Sequence, residues 1–373
     1  MRSTAVFPLA GVAALAVLEG CFVASDPVGS GVTRTYYIAA DEIEWDYAPL
    51  GMNVIRGKPF GADENVFAGQ SDDRIGSRYK KAVYREYTSD AFDTLAPRED
   101  KDEYRGILGP VLHAAVGDTL SVVFRNNGTI PYSMHPHGVF YDKGGEGARY
   151  SDKTKTAQRA DDIVMPGDTF TYEWEVPESA GPGPRDTSSV VWLYHSHVDT
   201  VADINAGLAG AIVVTGSGAA RQDGTPSDVD REVISLFTVH DENASHFIED
   251  NIRTYTKARD PAVLMADDAF VESNLMHTIN GYVWGNGPEL TLRQGEHVRW
   301  YLLAVGTEVD LHTAHWHGHT ALHRGHRVDV VELLPASMHT TDLLMDNPGR
   351  WMFHCHVHDH IAAGMISLYD VIK

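Results

Sequence analysis

Apolar and polar residues alternate one by one along much of the chain. Phe170, Tyr172, Trp174 and Val176 interleave with Thr171, Glu173 and Glu175, and Leu120, Val122 and Phe124 repeat the pattern. A period of two sends successive side chains to opposite faces of a strand, so these segments predict half-buried β-strands. Residues 210–215, 233–239 and 298–305 are short, mostly apolar runs bounded by Gly, Pro, Asn or Asp, and predict further strands. No long stretch carries a helical period. The pattern therefore predicts an all-β protein built from sandwiches or barrels.

The same features recur in order. Gly109-Pro110 precedes Gly117-Asp118 by eight residues, and Gly287-Pro288 precedes Gly295-Glu296 by the same interval. His135-Pro-His137-Gly138 then matches His315-Trp-His317-Gly318, and Trp192-Leu-Tyr-His195-Ser-His197 matches Trp351-Met-Phe-His354-Cys-His356. A duplicated β domain explains this most simply. The polar, turn-rich stretch 216–230 reads as the connection, with the linker at 218–230 between domains at 33–217 and 231–373. Residues 1–32 read as a leader: Arg2 is followed by an apolar run over 5–18, of signal-peptide length. Leu18-Glu19-Gly20-Cys21 resembles a lipoprotein cleavage box, so Cys21 is a candidate lipid anchor and the only membrane attachment expected. Export to a periplasm or the cell exterior follows.

Composition narrows the function. The 373 residues carry 52 acidic against 30 basic side chains, a formal net charge of −22. Such a surface repels phosphate backbones and excludes nucleic acid as a partner. There are 20 histidines and two cysteines. With Cys21 removed or lipidated, Cys355 is the one remaining thiol and no disulfide forms.

Half of the histidines fall in four clusters: His135/His137, His195/His197, His312/His315/His317 and His354/His356/His360. Scattered surface or core histidines would not place four H-x-H pairs in register across a duplication. Residues i and i+2 share a strand face, so each pair presents two imidazoles in parallel. Eight imidazoles exceed the needs of a tetrahedral zinc and suit a cluster of several metals, with copper favoured by the affinity order. Cys355 lies between His354 and His356 and so points to the opposite face. With His312, His360 and Met365 it makes the ligand set of a blue copper electron-transfer site, joined to the cluster through its own two neighbours.

H-x-H-G, H-x-H, H-x-x-H-x-H-G and H-C-H-x-x-x-H-x-x-x-x-M, in that order, resemble the four copper motifs of multicopper oxidases. The resemblance runs from about Thr33 to the C-terminus. Segments such as Asp73-Arg-Ile-Gly76, Gly144-Gly-Glu-Gly147 and Gln158-Arg-Ala-Asp-Asp162 look like the ceruloplasmin-type branch, and the length looks like the two-domain bacterial members, the small laccases. The resemblance implies two cupredoxin-like Greek-key domains and four coppers per protomer. Type 1 copper would be held by His312, Cys355 and His360 with Met365 axial. Type 2 would be held by His135 and His315, and the type 3 pair by His137, His195, His197, His317, His354 and His356. It further implies that a reducing substrate gives single electrons at type 1 and that O₂ is reduced to water at the cluster. The first domain, with Ser196, Tyr132 and Val201 where Cys355, His312 and His360 stand in the second, would hold no blue copper.

Each domain supplies four cluster histidines, so a domain 1 face must meet a domain 2 face. In the two-domain relatives these belong to neighbouring chains, which implies a homotrimer. The substrate is expected to be Fe(II), a phenol or an aromatic amine. Glu272, His277 and Asp359 match in local context an iron-entry site of the ceruloplasmin-type ferroxidases, although Asp359 could instead orient His360. Asp199 and Asp203 are candidate proton-relay carboxylates. Two alternatives remain: a copper nitrite reductase, which would carry type 1 copper in its first domain and lack the full type 3 set, and a non-catalytic copper carrier or store.

Overall fold

The computed structural model describes residues 31–373, so the leader and Cys21 lie outside the described residues. Four main sheets stack face to face. The first orders Arg78–Tyr87, Thr33–Asp46, Thr119–Asn126 and Thr169–Glu175; the second orders Val111–Ala115, Ala209–Thr215, Ser189–His195 and His135–Pro136. The third runs Leu275–Ile279, Arg231–Asp241, His297–Ala304, Met338–Leu344, Ala321–His323 and His326–Val328. The fourth runs Leu290–Arg293, Ile366–Ile372, Gly349–Cys355, His312–Trp316 and Val330–Leu333. The duplication is visible in the ladders. Thr33–Asp46 pairs parallel with Thr119–Asn126 as Arg231–Asp241 does with His297–Ala304. Val111–Ala115 pairs parallel with Ala209–Thr215 as Leu290–Arg293 does with Ile366–Ile372.

Alternation decides which faces are buried. Tyr172 and Trp174 lose all exposure to the first core, while Thr171, Glu173 and Glu175 stay in solvent. Ile38, Leu120 and Phe124 from the first sheet meet Leu112, Tyr194, Ile212 and Val214 from the second. The other face of the second sheet, with Val191, Leu193, Ala211 and Val213, packs on Ile234, Leu236, Tyr301 and Leu303 of the third. Phe237, Trp300 and Leu302 turn the opposite way, onto Ala314, Trp316, Phe353 and Cys355 of the fourth. The run at 210–215 is therefore continuous rather than alternating because both faces of Ala209–Thr215 are covered. Each fully buried aliphatic or aromatic side chain contributes roughly 1.5–3 kcal/mol, so the middle core alone ties the two halves firmly together. Arg299, fully buried, adds a polar clamp there, donating to Asp342 at 2.7 and 2.9 Å, Asp228 at 3.1 Å, Ser188 at 2.6 Å and Ser189 at 3.0 Å.

Helices are short. Among the described residues the longest, Ile248–Tyr255, has eight residues, and none is long and apolar enough to cross a membrane.

Candidate metal centre

The site begins with the pairing of His312–Trp316 against Gly349–Cys355, which sets Ala314 opposite Cys355 and His315 opposite His354. Ala314, Trp316, Phe353 and Cys355 face the core between the third and fourth sheets. His312 shares their side of the strand; His315, three residues on, takes the other. The H-x-x-H spacing thus serves two sites on opposite faces of one sheet.

On the inner side, His360 comes in from the helix His358–Ala362. The Nδ1 atoms of His312 and His360 lie 3.0 Å apart, and the Cys355 Sγ is 4.0 and 3.8 Å from them. All three residues are buried. Metal bonds of about 2.0–2.3 Å to imidazole and thiolate separate donors by roughly 3.5–3.8 Å in a trigonal set, so this His₂Cys arrangement fits copper. Burial pushes the Cys355 thiol up, but hydrogen bonds from His312, His360 and the amides of Thr313 and Val357 outweigh it and bring it down to about 6. Burial likewise disfavours a charged His312, yet Asp310 and Cys355 hold it above its ordinary value. Met365 is fully buried in the same core, and its carbonyl accepts from the Cys355 amide at 3.1 Å.

On the outer side, His315, His317, His354 and His356 converge. The Nε2 atoms of His317 and His354 are 3.1 Å apart, and the His315 ring lies 5.0, 5.2 and 5.4 Å from those of His317, His354 and His356. The first half repeats the arrangement: the Nε2 atoms of His137 and His195 are 3.2 Å apart, with His135 5.5 Å from each ring and 5.2 Å from His197. Backbone carbonyls fix the rings. The Nδ1 of His135 donates to Glu146, His195 to Ser196, His315 to Asp329 and His354 to Cys355, at 2.7, 2.9, 2.8 and 2.6 Å. With Nδ1 bearing the proton, each Nε2 keeps its lone pair for a metal. Burial is the leading cause that lowers His137 and His354 to about 4 and His195 to about 3, holding these rings neutral.

Two of the four H-x-H pairs, His135/His137 and His315/His317, are followed by glycine for one reason. Gly138 and Gly318 each sit at φ +75°, and a Cβ there would meet the ring of Trp192 at 2.0 Å or Trp351 at 2.6 Å. The backbone turns in directly over an indole that only glycine clears.

The two outer sets do not meet within one chain. His135 and His195 pair at the edge of the second sheet, on the side facing the third, whereas His315 and His354 lie on the far side of the fourth. The third and fourth sheets lie between them, and sheets stack about 10 Å apart, so the sets are separated by roughly 20 Å. Among the described residues no ring contact or hydrogen bond joins them.

The expected substrate residues are placed unevenly. His277 is buried with its ring 5.1 Å from that of His360, lowered to about 4 by burial and then by His360. Glu272 and Asp359 are exposed, and neither side chain is hydrogen-bonded to His277. Of the acids after His197, Asp199 caps the helix Thr200–Ala206 through the Ala202 amide. Asp203 is fully buried; its carboxylate accepts from Ser196 at 2.6 Å and from His246 at 2.9 Å. The position equivalent to Cys355 is thus filled by a Ser–Asp–His hydrogen-bonded chain whose histidine comes from the second half. Tyr132 is buried beside His246, with ring centroids 6.3 Å apart.

Sequence reading overlooked Asp310. It is buried, its carboxylate is 3.2 Å from His312 Nε2, and it also accepts from the Val239 and Thr307 amides at 2.6 and 2.8 Å. It also overlooked a buried network in which Lys81 and Tyr47 both donate to Glu242, beside a buried His240.

Two family models described as multicopper oxidase match residues 105–218 and 255–372, together more than half of the chain. The chain is 45% identical over 343 residues to the ferroxidase HEPHL1 of Homo sapiens, and 40% identical over 345 residues to ceruloplasmin of Homo sapiens. Each alignment covers 91% of this chain but only 29% and 31% of the relative, so the chain spans about a third of the length of the curated relatives it matches. A solved multicopper oxidase superposes with a TM-score of 0.56 at 19% identity, covering 91% of this chain and 89% of that one, which shows the cupredoxin-like fold.

Proposed function

Because the chain belongs to the multicopper oxidase family, we propose that it oxidises a reducing substrate one electron at a time and passes the electrons to O₂. One observation carries the reading: Cys355 faces two buried imidazoles on one side of its strand, while its neighbours His354 and His356 face an imidazole cluster on the other. A copper carrier needs no such connection. A nitrite reductase would place the thiolate in the first half, where Ser196 stands instead.

When bound, copper supplies the one-electron and O₂ chemistry, and the protein supplies geometry, potential and access. His312, Cys355, His360 and Met365 would hold type 1. His135 and His315 would hold type 2, and His137, His195, His197, His317, His354 and His356 would hold the type 3 pair, making four coppers for each protomer. The Cys355 carbonyl accepts from His354 Nδ1 at 2.6 Å, so the thiolate side and the cluster side share a covalent and a hydrogen-bonded route. The third and fourth sheets stand between the two outer sets and leave each of them half a cluster. A domain 1 edge of one copy therefore completes the domain 2 face of the next. A head-to-tail contact of this kind must close, and three copies close it as a homotrimer. The leader exports the protein to the periplasm or cell exterior, with Cys21 as the candidate lipid anchor.

Fe(II) is the proposed donor. The 45% identical relative is named a ferroxidase, His277 packs on the type 1 ligand His360, and the carboxylates of Glu272 and Asp359 are open to solvent to meet an incoming hard cation. The test is O₂ consumption with Fe(II) and with a phenol by wild type, Glu272→Ala and Asp359→Ala. The iron kcat/KM is expected to fall at least about tenfold while phenol turnover holds. Equal losses would show that the carboxylates support the site rather than receive iron. Unchanged iron kinetics would leave a phenol or aromatic amine as the donor.

A further inference from the structure

Behind the first-half histidines lies a hydrogen-bonded hub. Asp203, fully buried in the helix Thr200–Ala206, accepts through Oδ2 from the Ser196 hydroxyl at 2.6 Å and from the Asp199 amide at 3.0 Å. Its Oδ1 lies 2.9 Å from His246 Nε2. Ser196 Oγ in turn accepts from the Ser133 amide at 3.1 Å. Ser133 Oγ donates to the Gly147 carbonyl at 2.7 Å and accepts from the His197 amide at 3.0 Å. Both serines are fully buried.

Each branch of this network ends on a group that orients a cluster histidine. The Ser196 carbonyl takes the Nδ1 proton of His195, and the Glu146 carbonyl, one residue before Gly147, takes that of His135. The His197 backbone is tied to Ser133 itself. Three of the four first-half histidines therefore depend on two hydroxyls, and the hydroxyls on Asp203. Ser196 lies between His195 and His197, so its side chain turns to the opposite face. Among the described residues no hydrogen bond joins Asp203 to a cluster imidazole, so the carboxylate reaches the rings through the backbone. The second half has the same wiring with a different anchor. There Thr313 stands for Ser133 and Cys355 for Ser196: the His356 amide donates to the Thr313 hydroxyl at 3.2 Å, and the Thr313 amide to the Cys355 Sγ at 3.5 Å. Cys355 faces His312 and His360, whereas Ser196 faces a carboxylate.

We propose that Asp203 is a positioning residue for His135, His195 and His197, and that His246 braces it from the second half of the chain. A hydroxyl proton rotates to suit its neighbours. With Asp203 fixing the Ser196 proton, the serine lone pair is left pointing at the Ser133 amide, and Ser133 is free to hold Gly147 and His197. In the first half a hydrogen-bonded carboxylate thus does the anchoring that the metal-ligand set does in the second. The use of the cluster rests on the oxidase reading; the hub does not.

The test compares Asp203→Ala, Asp203→Asn, His246→Ala and His246→Gln with wild type in two states. In the metal-free protein, hydrogen exchange is followed over residues 133–138 and 195–199, with 313–318 and 354–357 as the internal reference. Asp203→Ala is expected to speed exchange in the first pair at least about tenfold and to leave the second unchanged. Asp203→Asn, which keeps one acceptor oxygen, restores part of the protection. His246→Gln, whose amide nitrogen can stand in for Nε2, should protect better than His246→Ala. In the copper-loaded protein, competition with a chelator should find cluster copper held roughly 10–100-fold more weakly in Asp203→Ala, with the thiolate–copper absorption per protomer as in wild type. Should Asp203→Ala fail to fold, Ser196→Ala breaks the same chain one link on, with the same pattern expected. Unchanged exchange at 133–138 and 195–199, or a rise of equal size in both halves, overturns the proposal. Failure of the oxidase reading looks different: wild type would take up type 1 copper alone while the exchange pattern stands.

Discussion

Replacing Asp310 gives the sharpest test of the inner site, because three donors depend on one carboxylate. Oδ1 accepts from the Val239 amide at 2.6 Å and lies 3.2 Å from His312 Nε2, and Oδ2 accepts from the Thr307 amide at 2.8 Å. In Asp310→Ala both amides lose their acceptor in a buried setting. At about 1–3 kcal/mol for each stranded group, the metal-free protein should lose about 2–6 kcal/mol. Asp310→Asn keeps one oxygen and turns an NH₂ towards the other amide, so about 1–3 kcal/mol is expected. The copper effect is separate. With the carboxylate gone, nothing holds the His312 ring with Nδ1 aimed at Cys355, and loss of such an orienting partner typically weakens metal binding by roughly 10–100-fold, about 1.4–2.7 kcal/mol.

Denaturant unfolding of the metal-free variants gives the first quantity, and competition with a copper chelator, followed by the thiolate–copper absorption, gives the second. If Asp310→Ala holds copper within about twofold of wild type, His312 is oriented by packing alone and the reasoning fails. The pH dependence adds a check. Copper must displace the thiol proton once pH falls below the depressed Cys355 value of about 6, so affinity should fall at least about tenfold per unit below it.

Three further outcomes follow from the packing. Lys81→Met leaves the fully buried Glu242 without its cation and should cost about 3–5 kcal/mol in denaturant unfolding, most of it recovered in Lys81→Met/Glu242→Leu; an additive loss in the double variant would refute the pairing. His246 is raised above its ordinary value by its hydrogen bond to Asp203, so its stabilisation is complete below about pH 6.5 and fades as pH rises through the higher folded value. The gap in melting temperature between wild type and His246→Ala should accordingly be wider at pH 6 than at pH 9, and a constant gap would mean the ring acts by packing only. Sedimentation of the copper-loaded protein should give three times the protomer mass of 41.0 kDa, and a fully active species at one protomer mass would remove the shared cluster.

Much of the fold could be read from the chain because strand physics is local. The alternation at Phe170–Val176 reports a sheet with one wet face, and the apolar run at 210–215 reports one covered on both. Cys355 and its neighbours were legible for the same reason, since parity alone sends the thiol and the flanking imidazoles to opposite faces. Asp310 was not. It lies outside the strand His312–Trp316, and its importance comes from the Val239 amide, 71 residues away, and from the ring it holds. His246 escaped notice because its carboxylate partner belongs to the other half of the chain. Glu272 and Asp359 are exposed, and the structure shows no hydrogen bond from either to His277.

The count of eight imidazoles and their split of four to each half were legible; the packing that keeps the two sets apart was not. It arises from the order of the stack, which puts the third and fourth sheets between His135/His195 and His315/His354. A duplication that had folded its halves with these two faces together would enclose a cluster in one chain. Here the second sheet meets the back of the third through Leu193, Ile234 and Tyr301, so that surface is spent on the domain contact and each histidine set is left at an accessible edge. His356 is exposed, and His135, His137 and His317 are half-buried. The middle hydrophobic core that holds the two halves together thus also turns the histidine face of the fourth sheet away from that of the second.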